Sequence, residues 1–227
     1  YYGDLNAYSL VSSGVGLRFG VPVTEKDTVF VGANIEQTEI RAGNGLPDAY
    51  INYSNLFGST SRALPLTLGW SSDGRDSALV PTRGRYQRVY ADYSIAGDAR
   101  YYRANYQLQQ YFPLSKQYTF AFNTDLGYGA GVSGKPFPIF KNYYVGGLGS
   151  VRGFMQSTLG PTRFASATNS TPVYLGGTKK VVFNGEFVGP FPGTGNDKTL
   201  RMFAFVDAGY AYGENDPVRL SELRSSY

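Results

Sequence analysis

Between Tyr118 and Tyr128 the chain alternates by parity. Tyr118, Phe120, Phe122, Thr124, Leu126 and Tyr128 fall on one side, and Thr119, Ala121, Asn123, Asp125 and Gly127 on the other. A period of two puts successive side chains on opposite faces of a strand, so this stretch predicts a strand with one apolar and one polar face. The same test holds along the chain. Val15, Leu17, Phe19 and Val21 oppose Gly14, Gly16, Arg18 and Gly20; Val29, Val31, Ala33 and Ile35 oppose Phe30, Gly32, Asn34 and Glu36. Leu64, Leu66, Leu68 and Trp70 share a face. Val89, Ala91, Tyr93 and Ile95 oppose Arg88, Tyr90, Asp92 and Ser94, and Tyr102, Ala104, Tyr106 and Leu108 oppose Arg103, Asn105, Gln107 and Gln109. Val181, Phe183, Gly185 and Phe187 oppose Lys180, Val182, Asn184 and Glu186, and a less regular segment runs from about Leu200 to Tyr212.

The pattern predicts about eight strands, many of ten residues or more, against about five or six in soluble proteins. Their connections are short at Pro22 to Asp27, Asp73 to Gly84, Pro113 to Gln117 and Pro190 to Lys198. Between these lie Arg41 to Arg62, the brief Gly97 to Arg100, and a very long loop from about Gly129 to Thr178. Long regular strands with short turns at one end and longer loops at the other predict an all-β fold, an antiparallel transmembrane β-barrel segment. The apolar parity then meets lipid. The opposite parity carries Arg18, Arg88, Asp92, Arg103, Gln107, Asp125 and Glu186, a set that suits a wet lumen better than a dry interior. Tyrosine-rich segment ends (Tyr101-Tyr102, Tyr111-Phe112, Tyr143-Tyr144) are expected to join interfacial aromatic girdles. The competing reading of the alternation is a soluble antiparallel sheet with one wet face.

Composition narrows this. With 20 Tyr, 15 Phe, 29 Gly and one Trp, the chain favours strands over helices. It has no apolar run of about 18 residues, so no spanning helix is expected, and a mean hydropathy of -0.27 is compatible with barrel strands. The net charge of +4 is spread without a basic block, so nucleic acid is not expected as a partner. The chain has neither Cys nor His, which removes Ser-His-Asp triads, Cys-His pairs and His-ligated metals. Asp73, Arg75 and Asp76 suggest a cation site only weakly against a solvated turn. Gly127, Gly129, Gly131 and Gly134 lack the Lys-Ser/Thr ending and the helix of a phosphate loop. No cofactor, metal or enzymatic activity is expected.

The long loop contains Asn142-Tyr-Tyr-Val-Gly-Gly-Leu-Gly-Ser-Val-Arg-Gly-Phe154, then Gln156-Ser-Thr-Leu-Gly-Pro161. Val151, Arg152, Gly153 and Phe154 resemble the sixth-loop motif of the BamA/TamA superfamily of outer-membrane insertases and polypeptide transporters. The flanks Tyr144, Gly146, Gly147, Gly149, Leu159, Gly160 and Pro161 resemble the BamA branch in particular. Leu17-Arg-Phe-Gly-Val-Pro-Val23, Pro81-Thr-Arg-Gly84, Gly185-Glu-Phe-Val-Gly-Pro190 and Phe205-Val-Asp-Ala-Gly209 are similar to other family segments. The resemblance covers nearly all of residues 1–227. It implies one C-terminal barrel domain, from about the sixth strand to the start of the fourteenth of sixteen, without POTRA domains and without the first and last strands. Those missing strands form the seam where the family is thought to engage its substrates.

The resemblance further implies that Arg152 folds into the lumen and pairs with Glu186 and Asp207. A guanidinium offers five donors in a planar fork, enough for two carboxylates at once. Gly149 and Gly153 would let the backbone turn against the wall, and Phe154 would anchor it. Asp207 shares its parity with Phe203 and Phe205, so either those rings face the lumen or a bulge breaks the alternation. The function implied is folding and insertion of β-barrel proteins into the outer membrane of a Gram-negative bacterium. The implied partners are unfolded outer-membrane proteins, outer-membrane lipid and lipopolysaccharide, and accessory lipoproteins. Two-partner secretion or TamA-like translocation is the alternative within the superfamily, separable by counting POTRA domains in the full reading frame. A passive porin has no need of the 142–161 sequence, and an outer-membrane hydrolase would lack its histidine here.

Overall fold

The computed structural model of the chain describes residues 8–42, 47–166, 169–193 and 200–227. The turn expected at Pro190 to Lys198 lies outside the described residues from 194 on, as do residues 43–46 of the connection from Arg41 to Arg62. Each alternating stretch is a strand: β1 (Tyr8–Pro22), β2 (Asp27–Ala42), β3 (Thr60–Asp73), β4 (Gly84–Gly97), β5 (Tyr101–Pro113) and β6 (Thr119–Gly131). The long loop then carries a hairpin, β7 (Thr162–Ser166) and β8 (Asn169–Tyr174). The wall resumes with β9 (Lys179–Pro190), β10 (Arg201–Tyr212) and a short β11 (Arg224–Ser226). Among the described residues these form one nine-stranded sheet, β1-β2-β3-β4-β5-β6-β9-β10-β11, with β7-β8 apart from it. All pairings are antiparallel. β9 therefore closes onto β6 across the long loop, with Phe120 opposite Phe187 and Asn123 opposite Asn184.

The register slips between Ala63 and Pro65, where a proline without an N–H would otherwise leave a gap in the ladder. Helix α1 (Asp48–Phe57), the β7-β8 hairpin and β11 were not expected. The helix sits between β2 and β3, preceded by Pro47, which makes no side-chain cap. Tyr50 is fully buried, and Tyr53 meets Phe57 and Phe140. No helix among the described residues is long and apolar enough to cross a membrane.

The two faces of the sheet are inverted relative to a soluble protein. Val31, Ile35, Leu68 and Val206 are 55–67% exposed on strands that have neighbours on both sides. Rings pair across this open face, with Phe112 against Phe120, Tyr118 against Phe187, and Phe122 against Phe183. The polar face is the one the long loop covers, and the buried groups gather there. The girdle expectation therefore needs correction. Successive strand residues point to opposite faces, so each adjacent pair must split. Tyr102 and Phe112 lie on the open face. Tyr101 turns inward to donate to Glu36 and Tyr111 turns inward beside Gln109, while Tyr143, in the loop itself, is buried against Gly127 of the inner face.

This assignment of faces has a direct consequence. Leu68→Arg should cost about 2–4 kcal/mol near the bilayer midplane, whereas Gln107→Ala on the inner face should stay within about 0.5 kcal/mol. Denaturant unfolding of the full-length protein in lipid vesicles checks both, and equal costs would contradict the two-faced wall.

Candidate functional site

The loop after β6 is laid onto the inner face by residues with little or no side chain. A Cβ at Gly129 would lie 2.5 Å from the Phe137 ring, and one at Gly127 would lie 2.7 Å from the Tyr143 ring. Of the four glycines compared with a phosphate loop, Gly127 and Gly129 are seats for aromatic rings, while Gly131 lies against the backbone of Lys135 and Gly134 is open. Tyr143 pairs through its backbone with Gly177, and its hydroxyl donates to Ala104 O at 3.0 Å. Beyond it the chain descends along the wall. Gly146 N donates to Ser150 Oγ, Gly147 N to Val151 O, and Ser150 N to Gly147 O, which closes a tight turn. Gly146 (φ +113°) and Gly147 (φ +93°) supply the left-handed backbone that this turn requires. Gly153 is also left-handed, against Ser226, but Gly149 has no positive φ and open space around it. The tight turn expected at Gly149 thus belongs to the two glycines before it.

The motif itself docks at β9 and β10. Val151 has no exposed surface and packs with Val145, Leu159, Val182 and Ala211, while Phe154 lies at the margin of this cluster. Val151 is therefore the buried anchor rather than Phe154. Val182 is the apolar residue that interrupts the polar parity of β9, and Val151 is what covers it. Gly209 completes the seat, since a Cβ there would stand 2.8 Å from Val151 Cγ2.

Arg152 follows directly. Its backbone N–H and its Nε both donate to Asp207 Oδ2, at 2.9 and 2.7 Å, and Nη2 donates to Oδ1 at 2.6 Å. Nη1 reaches Glu186 Oε1. The guanidinium also lies 3.9 Å from the centre of the Phe205 ring and 5.9 Å from that of Phe203. β10 pairs with β9 without a register shift, Phe205 opposite Glu186 and Asp207 opposite Asn184. So no bulge breaks the alternation, and the two rings share the inner face with Asp207. They form an apolar and π floor for the planar cation. Asn184 Nδ2 donates to Ser150 O at 2.6 Å and holds the turn from the other side.

Burial sharpens these contacts. The Asp207 side chain is fully shielded, and those of Arg152 and Glu186 are 17% and 27% exposed. Hydrogen bonds donated to Asp207, opposed by burial and reinforced by Glu186, push the Arg152 guanidinium above its ordinary pKa, so it stays charged. Breaking such a pair from one side costs on the order of 3–5 kcal/mol, because a buried charge is left alone.

The chain then climbs back. Leu159 N donates to Val145 O and Ala211 N to Leu159 O, so the returning limb adds to the end of β10. Gly160 passes Ala211 closely, and Pro161 O accepts from Leu175 N at the base of the β7-β8 hairpin. Tyr144, higher up, has its hydroxyl 3.3 Å from that of Tyr50 on α1. The motif and most of its flanks thus form one segment docked on its two acids in β9 and β10, and Tyr144 and Gly149 lie apart from the fork. Sequence reasoning missed Asn184, Val182 and Gly209. Their signal was an amide, a valine and a glycine on the polar parity of β9 and β10. The cluster at Asp73 to Asp76 is elsewhere and closes a turn. Arg75 pairs with Asp73, while bonds from Thr82 and the backbone hold Asp76 down at about 2. Among the described residues no group of three acids could hold a metal ion.

The family model that matches residues 2–227 is that of the Omp85 superfamily domain. The chain belongs to the Omp85 superfamily. An Omp85 relative, the outer membrane protein assembly factor BamA of Neisseria meningitidis, is 34% identical over 91% of this chain and 27% of its own length. The mouse sorting and assembly machinery component 50 homolog is 28% identical over 66% of this chain and 33% of its own. The chain spans about a third or less of these Omp85 relatives. The crystal structure of BamA from Haemophilus ducreyi lacking POTRA domains 1–3 superposes with a TM-score of 0.85 over 96% of this chain and 47% of that one, at 23% identity. The nine-stranded sheet is therefore an Omp85 barrel wall.

The seat under Val151 can be tested alone. Gly209→Ala should weaken docking of the loop by about 1–3 kcal/mol through overpacking. Adding Val151→Ala should relieve only part of it, since the new methyl also meets Val181 O at 3.0 Å. Protease cleavage rates in the 144–158 segment report the effect, and an unchanged rate in Gly209→Ala would mean that the loop is not seated there.

Proposed function

We propose that this chain is wall and plug of a barrel that folds other β-barrel proteins and inserts them into the outer membrane of a Gram-negative bacterium. The observation that carries the reading is the Arg152 fork on Asp207 and Glu186, inside a chain of Omp85 type. The names of the relatives favour assembly over secretion, since both the bacterial and the mouse protein are named for it. The 142–161 sequence, docked along the inner face, is what sets this reading apart from a passive pore.

The process makes and breaks no covalent bond, and the chain acts without enzymatic chemistry. An unfolded barrel strand entering lipid exposes N–H and C=O groups that hydrocarbon cannot satisfy. A strand edge that pairs them, beside thinned lipid, lowers that barrier. Such an edge works only if deformation is confined to the seam. Arg152 ties the loop to two adjacent strands and stiffens the wall elsewhere. The partners are unfolded outer-membrane proteins, lipid with lipopolysaccharide, and the accessory lipoproteins of the assembly complex.

In the full-length protein, Arg152→Ala should lower porin levels in the outer membrane and slow the appearance of heat-modifiable, folded porin. Arg152→Lys keeps the charge but loses the fork and should recover only part of the activity. Normal porin levels with Arg152→Ala would overturn the reading.

A further inference from the structure

The loop that carries Arg152 makes a second ionic contact far along the wall. Lys141 Nζ lies 2.7 Å from Glu36 Oε1, and the Tyr101 hydroxyl donates to the same oxygen at 2.9 Å. Asn34 Nδ2 reaches the other carboxylate oxygen at 3.5 Å. The two charged side chains are only 21% and 17% exposed. Beside them Phe137 meets Tyr101 edge-on at 5.9 Å and packs with Ala63 and Ala99. Phe140, the neighbour of Lys141, meets Tyr53 of α1. Glu36 stands on β2, whereas Glu186 and Asp207 stand on β9 and β10. In the strand order β2 and β9 are five spacings apart, roughly 24 Å along the wall. Residues 141–152 bridge that span, with Tyr143 between, its ring 4.3 Å from the Arg103 guanidinium.

An exposed lysine pair contributes little. This one is shielded, and its carboxylate oxygen takes two donors from different elements. Its geometric effect is larger than its own strength. Lys141 stands two residues before Tyr143, whose backbone pairs with Gly177, so holding residue 141 steadies the anchor from which the chain runs to Arg152. A steadier anchor lowers the entropy lost and raises the local concentration of the guanidinium at its acids.

We propose that Lys141, Glu36 and Tyr101 form a second tether that positions Arg152, so that opening one tether loosens the other. The tether deepens the proposed function and rests on it for any effect on assembly. The coupling between the two contacts stands independently of that function.

The test uses the full-length protein in lipid, with hydrogen exchange read over residues 150–157 and, as a reference, over β5 and β6. Lys141→Met should speed exchange at 150–157 about tenfold, equivalent to about 1.4 kcal/mol, and leave β5 and β6 unchanged. Lys141→Arg should retain the native rate, and Glu36→Lys combined with Lys141→Glu should restore it. Unchanged exchange at 150–157 in Lys141→Met overturns the tether, whatever happens at 139–143, as does equal acceleration in the wall. Faster exchange at 150–157 with normal porin assembly upholds the tether and counts against the proposed function instead.

Discussion

Asp207 has no accessible surface, and a carboxylate in that position is tenable only with a cation set against it. Its neighbours on β9 and β10 are Asn184, Glu186, Phe203 and Phe205, none of which can supply one. The cation must come from another segment, and Arg152 supplies it at the end of a loop that descends from the other end of the strands. Three donors of one residue, one of them the backbone N–H, meet the two oxygens of Asp207. This leaves the backbone of the loop no freedom to slide. The remaining arm of the guanidinium takes Glu186, and the planar face rests on Phe205.

Much of the inner face follows from that requirement. The loop must lie close enough for Arg152 to reach, so the wall gives up side chains at Gly127, Gly129 and Gly209 where Tyr143, Phe137 and Val151 press against it. An otherwise polar face carries Val182 because the loop keeps water from it. The outer face has no such cover and is mostly apolar along the middle of the strands, as a wall in lipid requires. A buried apolar cluster and a buried ion pair thus sit inside the barrel wall, on the face that alternation alone marks as wet.

The strands were legible because period-two alternation survives wherever one face meets lipid and the other water. The limits were less so. β1 begins at Tyr8, well before Val15, because Ser12, Ser13 and Gly14 blur the alternation. Helix α1 was missed because Asp48–Phe57 is short and lacks a side-chain cap, and isolated helices of that length are marginal. Packing of Tyr50 and Tyr53 under the loop holds it, which no local pattern reveals. At the site, the motif named Arg152 and its acids, but the parity of Phe203 and Phe205 left two geometries open. Only the unbroken β9-β10 register decides between them. Lys141 and Glu36 gave no signal at all, since they are distant in sequence and unremarkable in type.

The Arg152–Asp207 contact, rather than general packing, holds the loop to the wall. A double-mutant cycle with Arg152→Gln, Asp207→Asn and the pair together, read as the free energy of opening the loop to protease in the full-length protein, tests it most directly. Each single change should lose most of the protection, and the double change little more. That corresponds to a coupling on the order of 3 kcal/mol. Additive losses, with coupling below about 0.5 kcal/mol, would contradict it.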